Sequence, residues 1–148
     1  MGRLITSLTE EQRNKVWRSI KDKTVAVIGY GNQGRSQALN MRDSGLNVIV
    51  GNVRDQYAEQ AEKDGFKVYS IGEAAGKADI LFILIPDEIQ PEVFENEINR
   101  NFKEGGTVVF ASGYNYFYGL VKVPEKANVL MIAPRMIGFG IRDLYLKG

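Results

Sequence analysis

Apolar residues gather along the chain in six short runs, at 24–28, 47–50, 66–69, 80–85, 107–110 and 128–132. Most are rich in Val, Ile or Phe, and all are too short for a helix. The run 80–85 is apolar without a break, the pattern of a strand covered on both faces of a parallel sheet. Between the runs lie segments that read as helices: 33–43 with Ala38, Leu39 and Met41, then 57–64, a short one at 71–77, and about 91–101 with Val93, Phe94 and Ile98 on one face. Gly45, Gly65 and the pair Gly105-Gly106 punctuate them. Strand and helix in alternation predict an α/β fold on a parallel sheet of about six strands, with helices on both faces.

One helix precedes the first strand and ends near Ile20. Ser7-Leu8-Thr9-Glu10 has the S-x-x-E form of a capping box. Leu8, Val16, Trp17 and Ile20 share a stripe, expected to pack on the flank of the domain; contact with a second subunit is the other option. Residues 1–22 thus read as a helical appendage and 23–148 as one domain.

The turn between the first strand and its helix is Gly29-Tyr30-Gly31-Asn32-Gln33-Gly34. In this setting G-x-G-x-x-G points to dinucleotide binding and a Rossmann-type sheet. Gly29 turns the chain, Gly31 clears a path for the pyrophosphate, and Gly34 lets helix approach strand. The N-terminus of the helix then faces the phosphates. After the second strand come Arg54 and Asp55, beside the expected adenosine ribose. An acidic residue there holds the ribose hydroxyls of NAD, and an Arg accepts the 2′-phosphate of NADP. With both side by side, NAD and NADP remain open. The fourth run stops at Pro86-Asp87-Glu88, and the carboxyl ends of strands are where ligands lie.

Composition narrows the chemistry further. The chain has 148 residues, a net charge of +1, no Cys and no His. Disulfides, thiolate nucleophiles, Ser-His-Asp arrangements and His- or Cys-ligated metal are excluded. The charge gives no case for nucleic acid or a membrane surface. No apolar run nears the ~20 residues that span a bilayer. The start, MGRLITSLTEEQRNK, has no apolar core of a secretory signal. A cytoplasmic location is the expectation.

The stretch from Val25 through Gly34, followed by Gln37-Ala38-Leu39-Asn40 and Arg42-Asp43-Ser44-Gly45, closely resembles the N-terminal domain of ketol-acid reductoisomerase. So do Glu62-Lys63-Asp64-Gly65-Phe66-Lys67-Val68-Tyr69 and Ile85-Pro86-Asp87-Glu88-Ile89-Gln90-Pro91. The resemblance runs over about residues 22–148. It implies reduction and rearrangement of acetohydroxy acids in branched-chain amino-acid synthesis, with a nicotinamide cofactor and magnesium. It also implies a second, helical domain that carries the metal-binding carboxylates and much of the subunit interface. On this resemblance the chain ends where that domain would begin. No metal site is expected here, and magnesium only if the helical domain is present.

Carried over from the resemblance, the cofactor turn falls on Tyr30, Gly31, Asn32 and Gln33, the phosphate-reading loop near Arg54, and the second cofactor segment on Asp87, Glu88, Ile89 and Gln90. A further cofactor glycine falls on Gly138. Two departures stand out. The family's His-Gly-Phe/Tyr-Asn is Ser112-Gly113-Tyr114-Asn115 here, and its Ala-Pro-Lys-Gly-Pro-Gly-His is Ala133-Pro134-Arg135-Met136-Ile137-Gly138-Phe139. Ser112, able to hydrogen-bond a substrate oxygen, and Arg135, able to hold a carboxylate, become the candidate catalytic residues. The resulting expectation is an oxidoreductase domain that moves hydride between NAD or NADP and a small 2-keto or hydroxy acid. The alternative is a module that binds dinucleotide for sensing or regulation without chemistry. Expected partners are the dinucleotide, a small substrate and, since isolated domains keep apolar faces, a second copy of the chain.

Overall fold

The computed structural model describes residues 7–148. Six strands form one sheet: β1 (Thr24–Ile28), β2 (Asn47–Gly51), β3 (Val68–Tyr69), β4 (Ile80–Ile83), β5 (Thr107–Phe110) and β6 (Asn128–Met131). All pairings are parallel, in the order β3-β2-β1-β4-β5-β6. Val25 pairs with Val48 and Ile80, so β1 sits at the centre between β2 and β4. This is the order of a doubly wound dinucleotide-binding sheet.

Alternation along the strands splits the core in two. Ala26, Ile28, Ile49, Leu81, Ile83, Val108 and Phe110 pack on one face with Ala74 of α4 (Ile71–Lys77) and with Phe94 and Ile98. Val27 and Val50 pack on the other with Ala38 of α2 (Asn32–Asp43) and Ala61 of α3 (Gln56–Lys63). Each fully buried side chain of this size contributes about 1.5–3 kcal/mol. Leu130 and Met131, by contrast, are 51% and 65% exposed on edge strand β6.

Four parts of the chain differ from the expected pattern. The helix α1 (Glu10–Ile20) is capped two residues later than Ser7-x-x-Glu10 suggests. The Thr9 hydroxyl accepts from the Gln12 N–H, and the Gln12 side chain accepts from the Thr9 N–H. No residue of α1 is buried, and its stripe packs only in part: Leu8 and Val16 stay exposed, while the Trp17 ring lies beside Gly45 and Ile20 is half-buried. The expected helix 91–101 is a short α5 (Gln90–Val93) running into a π-helical turn, Phe94–Ile98. With that wider turn Phe94 and Ile98 both face the core, and Phe94 stacks on Phe110 at 5.7 Å. β4 stops at Ile83, where its partners Ile28 and Phe110 also end.

The fourth difference is helical structure after β5. α6 (Tyr114–Phe117) and α7 (Gly138–Lys147) form in stretches without a clear apolar period. α7 begins with Gly138 and Gly140, poor helix formers. Contacts with α2 stabilise it instead. Arg142 donates to Asn40 and pairs with Asp43, and Tyr145 meets Ser44.

Candidate functional site

β1 and β4 are neighbours whose chains leave toward opposite faces of the sheet, and a cleft opens at their carboxyl ends. Its cavity is about 570 Å³. The glycine turn and Asn52, Asp55 and Tyr57 line one end; Leu84, Ile85, Pro86, Asp87, Ile89 and Gln90 form a wall; Ala111 and Ser112 close the other end.

The turn has the geometry its composition suggests. Gly29 has φ +91, and a Cβ there would stand 2.7 Å from Ile85 and 2.8 Å from the Leu84 carbonyl. A Cβ on Gly34 would run into the Gly29 carbonyl oxygen, so α2 lies directly on the end of β1. A Cβ on Gly31 would meet nothing within 4 Å, and Gly31 lines the cleft. No side chain caps α2, and its first turn holds no acid. Its leading N–H groups are therefore available to an anion.

Tyr30 faces the other way. Its ring is 1% exposed, packs edge-on against Phe66 at 5.6 Å, and donates its hydroxyl to Asp64 Oδ2 at 2.9 Å. Only its backbone borders the cleft side, where its N–H donates to Asn52 Oδ1. Asp64 also accepts from Arg35 through both oxygens and from Gln60. Burial pushes the Asp64 carboxyl up, but the hydrogen bonds from Arg35, Tyr30 and Gln60 outweigh it and hold the group below its ordinary value. Burial and the Asp64 bond push the Tyr30 phenol up.

The Asp64 shift sets a pH dependence. A carboxyl depressed in the folded state contributes stability that is fully present above its unfolded value, about 3.9, and is lost as pH falls through the folded value. Asp64→Asn is expected to be less stable at pH 7 by about 1–3 kcal/mol. It should also be less sensitive to acid below pH 4. Urea unfolding at pH 7 and pH 3, followed by circular dichroism, checks both; equal acid sensitivity in the two proteins would reject the assignment.

The residues after β2 divide. Asp55 lines the cleft and caps α3: its Oδ1 accepts from the Tyr57 and Ala58 N–H groups and from Asn52 Nδ2. Arg54 does not line it. Its Nη1 donates to Glu62 at 2.8 Å. At the far end, Asp87 accepts from Ser112 Oγ at 2.9 Å and from Gln90 Nε2 at 2.9 Å. Gln90 also donates to the Ile85 carbonyl. Asn115, 2% exposed, ties the knot by donating to the Asp87 carbonyl and to Gln90 Oε1.

Asn32 and Gln33 line the cleft, but their side chains reach toward α7. Asn32 Oδ1 accepts from the Phe139 N–H, and Gln33 Nε2 donates to the Met136 carbonyl. Gly138 is buried against the Asn32 carbonyl, where a Cβ would collide. It thus backs the turn at Asn32 and does not itself line the cleft. Arg135 is exposed on the loop after β6, also outside that lining. The structure therefore brings Ser112 to the cleft with Asp87 and leaves Arg135 apart. Sequence reasoning missed Asn52 and Asn115, the two buried amides that lock the cleft's ends. A polar residue immediately following a buried strand was the available signal for Asn52.

Residues 19–148 match the family described as acetohydroxy acid isomeroreductase, NADPH-binding domain. The ketol-acid reductoisomerase (NADP(+)) of Methanocaldococcus jannaschii is 54% identical over 132 residues, 88% of this chain and 40% of that protein. That of Pyrobaculum aerophilum is 52% identical over 130 residues, again 87% and 40%. The solved NADH-preferring ketol-acid reductoisomerase from an uncultured archean superposes with a TM-score of 0.86 at 40% identity, covering 88% of this chain and 41% of that one. The chain thus spans about 40% of the length of the curated relatives it matches. With this cleft, this strand order and these matches, the chain belongs to the acetohydroxy acid isomeroreductase, or ketol-acid reductoisomerase, family as its dinucleotide-binding domain.

Proposed function

We propose that this domain holds the nicotinamide cofactor for hydride transfer to an acetohydroxy acid or a related 2-keto acid. The observation that carries the reading is the uncapped start of α2 behind the open position at Gly31. The cleft fits a dinucleotide: the α2 N–H groups receive the diphosphate and the apolar wall of Ile85, Pro86 and Ile89 shields it from water. The cofactor supplies the hydride chemistry when bound. Ser112 and Asp87 stand at the end where the reacting ring belongs. Asp87 orients the Ser112 hydroxyl, which also accepts from the Tyr114 N–H and keeps one lone pair for a substrate hydroxyl.

Magnesium is a different matter. Among the described residues no group of three or more His, Cys, Asp or Glu side chains stands together as a metal site. The described residues therefore offer no such set of ligands for that ion. Among the described residues no helix is long and apolar enough to cross a membrane. The relatives differ in cofactor: two carry NADP(+) in their names and one is NADH-preferring.

The longest natural form of the protein, given magnesium and an acetohydroxy acid, is expected to oxidise a reduced nicotinamide cofactor. Absorbance at the reduced nicotinamide band reads the turnover, and calorimetric titration reads binding. Binding without turnover on any 2-keto acid would move the reading to a dinucleotide sensor; absence of binding would reject both.

A further inference from the structure

The start of α2 keeps its N–H groups free although two possible caps stand beside them. Asn32 and Gln33, the first two residues of the helix, both carry carboxamides. Either carbonyl could turn back onto a first-turn N–H group, as polar side chains do at helix starts. Both are engaged elsewhere. Asn32 Oδ1 accepts from the Phe139 N–H at 3.1 Å and so caps α7, whose own N-cap residue, Ile137, supplies no side-chain bond. Gln33 Nε2 donates to the Met136 carbonyl at 2.8 Å, and its Oε1 accepts from Gln37 at 3.1 Å. The Gly138 backbone closes against the Asn32 carbonyl, with no room for a Cβ.

The anchor of that segment lies one turn further along α7. Arg142 donates from Nη1 to Asn40 at 2.9 Å and from Nη2 to the Asp43 carboxylate, both on the last turn of α2. Its side chain is only 20% exposed, so these bonds count for more than those of a surface pair. The guanidinium also lies over the Tyr145 ring, and Tyr145 meets Ser44. No residue of α7 lines the cleft. We propose that Arg142 is a positioning residue for the dinucleotide site. It docks α7 along α2, and α7 holds the Asn32 and Gln33 carboxamides off the N–H groups that receive the diphosphate. When α7 lifts, those carbonyls return to the helix start and compete with the ligand. Diphosphate and α7 thus favour the same arrangement of the turn, and each tightens the other. The inference rests on the cleft being the dinucleotide site.

Calorimetric titration with NADH and with NADPH, beside hydrogen exchange read by mass spectrometry, tests it. Saturating dinucleotide is expected to slow exchange of the α7 amides about fivefold or more, although none of these residues lines the cleft. Arg142→Ala should speed exchange there and weaken both dinucleotides by a similar factor, because such a coupling is reciprocal. Arg142→Lys keeps a cation for the Asp43 carboxylate and should restore most of the loss. Wild-type affinity in Arg142→Ala, with α7 exchanging fast, would overturn the proposal. So would a loss of affinity with α7 protected as before, since Arg142 would then act by another route. If Arg142→Ala unfolds the whole domain, the wild type decides: α7 exchange that ignores saturating dinucleotide overturns the coupling. Failure of both dinucleotides to bind the wild type would remove the cleft assignment itself, and this inference with it, a result distinct from the others.

Discussion

Gly31→Val is expected to abolish dinucleotide binding while leaving the domain's stability close to wild type. A Cβ at this position meets nothing within 4 Å, and the backbone there, φ −71 and ψ −161, is open to any residue. The folded chain therefore leaves room for a side chain to begin at this position. The bound state does not. Valine's methyl groups would occupy the approach to the first-turn N–H groups of α2, each of which contributes about 1.5–3 kcal/mol as a hydrogen bond to a charged oxygen. Losing one gives a drop of about tenfold to a hundredfold, and losing two at least about a hundredfold. Titration with NADH beside a thermal unfolding curve separates the two effects. Unchanged affinity, or a collapse in melting temperature, would contradict the geometry.

Gly34→Ala is expected to do the opposite, damaging the fold first. Its Cβ would collide with the Gly29 carbonyl oxygen, a backbone atom in a turn that is itself locked at positive φ against Ile85. Overpacking against side chains costs about 1–3 kcal/mol, and a rigid main-chain neighbour puts this case at the upper end, about 3 kcal/mol. For a domain of this size that is a fall of roughly 10 °C in melting temperature. Denaturant unfolding with an unchanged slope and a lower midpoint would report it. A wild-type midpoint would mean that α2 can shift away from β1 at no cost.

The contrast between these two glycines shows what could be read in advance. The roles of Gly29, Gly31 and Gly34 follow from backbone chemistry within six residues, so the pattern alone carries them. The strands were legible for the same reason, since Val, Ile and Phe alternate between two buried faces. Tyr30 was not. Its neighbours in sequence belong to the turn, yet its ring is committed to Asp64, 34 positions on, by a bond no local pattern announces. Arg54 and Asp55 posed an undecidable pair because a third residue, Glu62, takes up one of them. α7 was hidden by its own glycines and is stabilised by α2, another element altogether. The features missed at Tyr30 and α7 are those whose cause lies far along the chain.

That distance bears on how the protein is made. The Asn32 side chain is met by Phe139, 107 residues downstream, and Gln33 by the carbonyl of Met136. A ribosome releases chain from the N-terminus at about 5–20 residues per second. All six strands are therefore out before the segment that clasps the turn arrives. The nascent chain thus acquires its sheet up to about a second before the segment that finishes its pocket, and cofactor capture waits for that segment.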